Sequence, residues 1–240
     1  MAGHTHFAES TEEYLEAIYR LEREGPGVST SALATALGVA PASVSGMLKK
    51  LAADGYVDHR ARGEAKLTRR GLEIAVRVLR RHRLAECFLT QILGLSWDEV
   101  HSEACRLEHA ISERVEERLV ALLGDPKVCP HGHPIPPMDL SEPERLGVPL
   151  AQLGDEETAV VFGVTEEVPE ILRYLGDVGL RPGATVEVVE KAPLGGPVTV
   201  SIEGKRYAIS LELARMVIVL PEKPQDVETE PAETVAAAAE

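Results

Sequence analysis

The stretch from Ser96 to Leu123 constrains this chain more than any other. Apolar residues recur through it at helical spacing, at Trp97, Val100, Ala104, Leu107, Ile111, Val115, Leu119 and Leu122, and this periodicity predicts one helix. Ser96 is a suitable N-cap, and Gly124, Asp125 and Pro126 supply the stop. At about 100° per residue, His101, Cys105, Glu108 and His109 fall within an arc of roughly 100°. Imidazole, thiolate and carboxylate on one helix face make a polydentate site for a divalent transition metal. A buried cysteine beside a salt-bridged Glu and His is the ordinary explanation for any two of these donors, and four together favour the metal.

A chain of 240 residues can hold two or three small domains. No run approaches the ~20 apolar residues of a membrane span, and the N-terminus lacks a signal peptide's apolar core. The three cysteines, Cys87, Cys105 and Cys129, have no paired spacing, which fits a reducing compartment. The expectation is a cytoplasmic protein with no membrane partner. The net charge of −14 is unevenly spread: Ala40 to Arg83 holds eleven Lys/Arg against four acids, a local +7 that leaves −21 for the remainder. One basic segment in an acidic chain fits a localised phosphate-contacting surface.

In chain order, a first helix is expected from about Ser10 to Glu24, with Ser10 to Glu13 matching a capping box and Tyr14, Leu15, Ile18, Tyr19 and Leu21 as the apolar face. Glu13 and Glu16 sit one turn apart and can aim at one point, although Glu13 is also explained by the cap and Glu16 as a solvated charge. Two short helices follow. Ser29 or Thr30 caps the first, Gly38 ends it, and Pro41 suits the first turn of the second. This is the helix-turn-helix pattern, in which Ala42, Ser43, Ser45 and Gly46 are small enough to let the second helix approach base edges and Lys49 can reach phosphates; Thr30, Ala40 and Pro41 are further candidate DNA contacts. Two short strands around Arg60–Gly63, bearing Arg60 and Arg62, then form a basic wing. A longer helix, about Arg69 to Leu93, carries His82 and Glu86 at i and i+4, a spacing that suits two metal ligands or a surface ion pair. The two long helices offer apolar surface for a second copy, and a homodimer would read two half-sites about 34 Å apart.

Seven prolines between Asp125 and Pro149 mark a linker or an ordered irregular loop. Its Cys129, His131 and His133 lack a fourth donor nearby and make a poor closed zinc site. From about Thr158 to Leu220, short β-rich segments at 159–164, 185–189, 198–202, 207–209 and 217–220, with one helix at Pro169–Leu175, suit a small β-barrel. The last twenty residues are acidic and are expected to be disordered. The fold class is therefore mainly α with a small β domain: a winged helix-turn-helix at 1–70, a helical dimerisation and metal-binding domain with its Pro-rich linker at 71–149, the barrel at 150–220 and a tail at 221–240.

With these residues in view, the chain resembles the diphtheria toxin repressor family, the iron- and manganese-dependent transcriptional repressors of bacteria and archaea. The likeness covers about residues 9–220. It is carried by Thr11–Leu15, Arg81–Glu86, Val100–Ala110, the loop from His131 to Pro136, and Tyr174–Gly183, which is similar to the FeoA-type barrel closing the longer members. The resemblance implies a regulatory metal site from Cys105, Glu108 and His109 plus Glu13. An ancillary site would use His82, Glu86 and His101, with Glu166 as a further ligand. Iron-type members commonly place Met where Glu13 stands. Manganese-type members place acids at Glu13 and Glu16 and often at Cys105, so this sequence is a hybrid. The barrel's usual glutamine ligand is replaced by Pro169.

These readings lead to a metal-dependent DNA-binding repressor that senses Fe(II) or Mn(II) at two sites per subunit, with Zn, Co or Ni able to substitute in vitro. It would bind double-stranded operator DNA as a homodimer and control metal-homeostasis genes. Two other classes stay open. One is a winged-helix regulator answering an organic ligand, with a purely structural His/Cys/Glu cluster. The other is a metal-dependent hydrolytic enzyme, although no Ser/His/Asp set or glycine-rich phosphate loop accompanies the cluster.

Overall fold

The computed structural model describes residues 8–25, 27–59, 64–137, 139 and 147–221. The expectations for Arg60, Arg62 and the acidic tail after Pro221 lie outside these residues. The chain divides into two compact units, residues 1–146 with 163–177, and residues 147–162 with 178–240.

The first unit begins with α1, Glu9–Glu24. It starts one residue before the expected cap: Ala8 occupies the N-cap position without a side-chain bond, and the Thr11 and Glu12 amides bond to its carbonyl. The capping box is therefore not formed, and Glu13 has no capping role. Tyr14, Leu15, Ile18 and Tyr19 are buried and join α1 to one core with Leu33, Val44, Leu48 and Leu51 and with Ala75, Val76 and Leu79.

Helices α2, Thr30–Leu37, and α3, Pro41–Ala53, are inclined by 110°, within the range of a helix-turn-helix. Ser29, rather than Thr30, caps α2 by accepting the Ala32 amide at 3.1 Å. Gly38 turns the chain in the left-handed region at φ 64°, where a side chain would strain. Ala40, Pro41, Ala42, Ser43, Gly46 and Lys49 are exposed, while Thr30 and Ser45 are half-buried. The Ser45 hydroxyl donates back to the Pro41 carbonyl at 3.0 Å. Strands β1, Val57–His59, and β2, Ala65–Leu67, pair antiparallel.

Thr68 caps α4, Arg69–Gln91, by accepting the Gly71 amide at 3.2 Å. The long helix expected from Ser96 to Leu123 is two helices, α5, Val100–Leu107, and α6, Glu113–Leu123. The break arises at Ser112, whose side chain accepts the Val115 amide and restarts the helix. The stripe read as wholly core-facing is also split: Val100, Ala104 and Ile111 are buried, whereas Leu107, Val115 and Leu122 are exposed, as are Ile92 and Leu93 beyond the end of α4. The Pro-rich stretch is ordered at least through Pro137. The Cys129 amide bonds to the His133 carbonyl at 2.9 Å and the Ile135 amide to the Lys127 carbonyl at 2.8 Å. Helix α7, Pro169–Asp177, completes this unit.

The second unit carries a six-stranded sheet of order β3-β8-β4-β5-β6-β7: Val148–Pro149, Val217–Pro221, Thr158–Val164, Thr185–Lys191, Val198–Ile202 and Lys205–Ile209. Alternation buries Val186 and Val188, then Val198, Val200 and Ile202. Strand β3 and the short helix α8, Leu211–Met216, carry too little periodicity to be read from sequence.

Two glycines give opposite tests of this packing. A Cβ at Gly71 would lie 2.0 Å from the Tyr56 carbonyl oxygen, whereas one at Gly46, in α3, would meet nothing within 4 Å. Gly46→Ala is expected to stabilise the free protein by about 1 kcal/mol through helix propensity. Gly71→Ala is expected to destabilise it by ~3 kcal/mol through overpacking against backbone. Urea unfolding of the two variants checks both signs.

Candidate metal centre

The residues singled out on α4 and α5 converge with others from the 127–137 loop and from the segment before α7. Glu86 lies at the centre. It is fully buried, and its Oε1 receives His82 Nε2 at 3.1 Å and His131 Nδ1 at 3.0 Å, with His101 Nδ1 at 3.7 Å. Its second oxygen, Oε2, is buried without a hydrogen-bond partner. Glu167 forms ion pairs with His101 and with His133, the latter at 2.9 Å. The ligand atoms of His82, Glu86, His101 and Glu167 lie within 4.8 Å of one another, as do those of Glu86, Cys129 and His131.

The loop reaches this centre because α4 holds its backbone. Arg80 donates to the Pro136 carbonyl at 2.8 Å, and Arg83 donates to the Pro134 carbonyl. Arg80 and Arg81 are themselves fixed by the buried Glu116, at 2.9 and 3.1 Å. On its other side the loop docks against Gly163, where a Cβ would stand 2.4 Å from the His131 carbonyl oxygen. Of the three loop donors, Cys129 and His131 gain Glu86 as a third partner while His133 turns to Glu167; Glu86 approaches from a distant point in the chain and left no local signal. Glu166 is exposed, and the carboxylate that meets the histidines is that of its neighbour Glu167. A one-residue offset in a loop without periodicity was not readable from sequence.

A second cluster joins α5 to α1. Glu108, at the C-cap of α5, accepts from His82 Nδ1 at 2.6 Å, and its other oxygen lies 3.3 Å from His109 Nε2. His109 Nδ1 donates to Glu12 at 2.6 Å. Ligand atoms of Glu9, Glu13 and His109 lie within 4.8 Å of one another. Glu16 is buried and accepts from Arg20 at 2.7 Å. Cys105 Sγ, expected beside Glu108 and His109, instead groups with the first cluster: it is 3.7 Å from His101 Nε2 and 4.0 Å from His82 Nδ1, and these three ligand atoms lie within 4.8 Å of one another.

Electrostatics tie these groups together. Burial alone would raise the Glu86 and Glu167 carboxyls, but hydrogen bonds from their histidines hold both well below the usual range. Burial would discharge His101, yet its bonds to Cys105, Glu167 and Glu86 push it up to about 11, and His82 is raised by Cys105, Glu108 and Glu86. Burial raises the Cys105 thiol, but His101 and His82 bring it down to about 7. Burial pushes Glu108 up; the His82 bond opposes this and the Glu16 charge adds to it. Without a cation, the protons on the histidines supply the positive charge that the buried carboxylates require.

The donor set fits a divalent transition metal. His131 shows this most directly, since its Nε2–H is held by the Trp97 carbonyl at 2.6 Å while Nδ1 faces Glu86. A ligating imidazole has this form, one nitrogen anchored to a carbonyl and the other turned to the ion. Imidazole, thiolate and carboxylate together suit Fe, Co, Ni or Zn and, through the carboxylates, Mn.

Three family models match the chain in series: the N-terminal DNA-binding domain of iron dependent repressors over residues 6–65, their metal binding and dimerisation domain over 68–137, and the FeoA domain over 148–221. The iron-dependent repressor IdeR of Mycobacterium tuberculosis is 37% identical over 224 residues, covering 88% of this chain and 96% of its own. The diphtheria toxin repressor of Corynebacterium diphtheriae is 34% identical over 224 residues, covering 87% and 96%. Among solved structures, a manganese-dependent transcriptional repressor in complex with manganese superposes with a TM-score of 0.81 at 35% identity, covering 88% of this chain and 99% of that one. ScaR with bound Cd2+ superposes at 0.75 with 29% identity, covering 87% and 98%. The matched models, these relatives and the convergent donors agree: the chain belongs to the iron-dependent repressor family typified by the diphtheria toxin repressor.

Proposed function

We propose that this protein is a transcriptional repressor in which a divalent cation joins the DNA-reading helices to the helices of a homodimer. One observation carries the proposal. Glu9 and Glu13 stand on α1, whose apolar face packs into the core of the helix-turn-helix, and their carboxylates meet His109, which follows α5. A cation held there neutralises acids that otherwise repel and fixes α1 against α5. The regulatory ligands are Glu13, Cys105, Glu108 and His109, with Glu16 close enough to feel the same charge. The second set is His82, Glu86, His101 and Glu167, extended by Cys129 and His131.

The DNA-contacting residues are Thr30, Ala40, Pro41, Ala42, Ser43, Ser45 and Gly46, with Lys49 and the wing arginines Arg60 and Arg62 on phosphates. Gly46 supports this reading, because nothing inside the fold requires its missing side chain. A partner double helix would.

Fe(II) is the proposed activator, with Mn(II) as competitor, since the Cys105 thiolate favours the softer ion and Glu13 and Glu108 suit the harder one. The test is operator binding titrated anaerobically against Fe(II), Mn(II), Zn(II) and Co(II), with a chelator control. Tight binding by the chelator-stripped protein would overturn the proposal, and activation by Mn(II) but not Fe(II) would reverse the choice of metal. Glu13→Ala and His109→Ala are expected to weaken operator binding at least tenfold at metal concentrations that saturate wild type, because a fixed hinge angle needs only a few kcal/mol of differential affinity, roughly a hundredfold or more in equilibrium constant.

The histidines also set a pH dependence. Against burial, bonds to Cys105 and to carboxylates raise His82 and push His101 up to about 11, and the ion takes the neutral ring. Apparent metal affinity should therefore rise about tenfold per pH unit for each proton displaced between pH 6 and 8. Calorimetric titration in buffers of different ionisation enthalpy is expected to register proton release on binding.

The exposed Ile92, Leu93, Leu107, Val115 and Leu122 come from the elements that would form the dimer. Leu107→Glu is expected to shift the protein toward monomer in sedimentation, with loss of operator binding and retention of metal binding.

A further inference from the structure

Helix α1 contributes two adjacent acids to the His109 ring, and they do different things there. Glu13 is exposed and belongs to the set of donor atoms with Glu9 and His109. Glu12 stands outside that set. Its side chain is buried, and one oxygen accepts from His109 Nδ1 at 2.6 Å. The other nitrogen of the ring, Nε2, faces Glu108 Oε1 at 3.3 Å. Neither Glu12 nor His109 has freedom to wander. Glu12 lies in the first turn of a helix anchored by Leu15 and Ile18, both fully buried, and His109 sits in the turn directly after α5.

We propose that Glu12 is a positioning residue for the metal ligand His109: by accepting the Nδ1–H it fixes the tautomer and ring orientation and directs Nε2 to the cation held with Glu108. The inference rests on the functional reading above and adds a residue that reading does not use. A histidine ligand whose second nitrogen donates to a carboxylate is more basic and better oriented, and losing such a partner typically weakens metal binding about 10- to 100-fold. It also gives α1 a hold on the ring that does not pass through the ion. The reading unit is thus tied to the centre by a hydrogen bond at Glu12 as well as by coordination at Glu13.

The test uses the full chain, stripped with chelator and titrated with Co(II), following the ligand-field bands and the thiolate-to-Co(II) charge-transfer band. Glu12→Ala is expected to bind Co(II) about 10- to 100-fold more weakly yet reach the wild-type spectrum at saturation, because no ligand has been removed. Glu12→Gln keeps an oxygen that can accept from Nδ1–H, and it is expected to recover most of the loss. Unchanged affinity in Glu12→Ala would overturn the proposal. So would a saturated spectrum altered in the same way as that of Glu13→Ala, which would make Glu12 a ligand. Thermal melting of the metal-free variants controls for folding. Should the Ala variant fail to fold, a Gln variant as weak as His109→Ala also overturns it. Wild-type Co(II) affinity in His109→Ala would instead defeat the regulatory site itself, and the role of Glu12 with it.

Discussion

A carboxylate in the interior with three imidazoles around it is the constraint from which much of the first unit follows. Glu86 cannot stay ionised at full burial without positive charge close by, and its contacts with His82, His101 and His131 raise those rings toward the charged form. Each of those rings is anchored in turn, His82 by Glu108, His101 by Glu167 and His131 by the Trp97 carbonyl. The network reaches from α4 through α5 to the 127–137 loop and the segment before α7. Protons and a divalent cation are alternative ways to satisfy the same charges, which makes the occupancy of the centre a chemical variable rather than a fixed part of the core.

The scaffold around these ion-paired donors is itself tied down. Glu116 holds Arg80 and Arg81, and Arg80 and Arg83 clamp carbonyls of the loop. The loop therefore presents Cys129 and His131 from a backbone that is already tied down, and Glu86 Oε2 is left buried and unbonded. The α1 cluster is built differently, since its acids come from a helix whose core is shared between the helix-turn-helix and the first half of α4, at Ala75, Val76 and Leu79. Glu9, Glu12 and Glu13 bring that helix to His109.

Much of this architecture was legible because it rests on periodicity and punctuation. Helices α1 to α4 follow from apolar spacing with Gly38, Pro41 and Thr68 as markers, and the later strands follow from alternation between glycine turns. The donors on α4 and α5 were legible because i, i+4 spacing places them on one face. What escaped the sequence has two physical causes. Local capping overrode periodicity at Ser112, which divides the helix after Ala110, and at Ala8, which starts α1 ahead of Ser10. Long-range approach was invisible: nothing near Cys129 and His131 in the chain announces Glu86, and nothing distinguishes Glu167 from Glu166 before the fold brings one of them to the histidines. Likewise, Glu12 gives no sign of differing from Glu13 until burial separates them.

The segment 163–177 lies inside the span of the FeoA model, residues 148–221, yet it clusters with the helical unit and carries both Glu167 and the Gly163 that makes room for His131. Modules defined by sequence and modules defined by packing therefore do not share a border in this chain. Truncation at the start of the barrel would also remove a carboxylate from the histidines and the strand end against which the Cys129–His133 loop rests. The carboxy-terminal half is thus not a detachable cassette, and any recombination that swaps it also exchanges the carboxylate partner of His101 and His133.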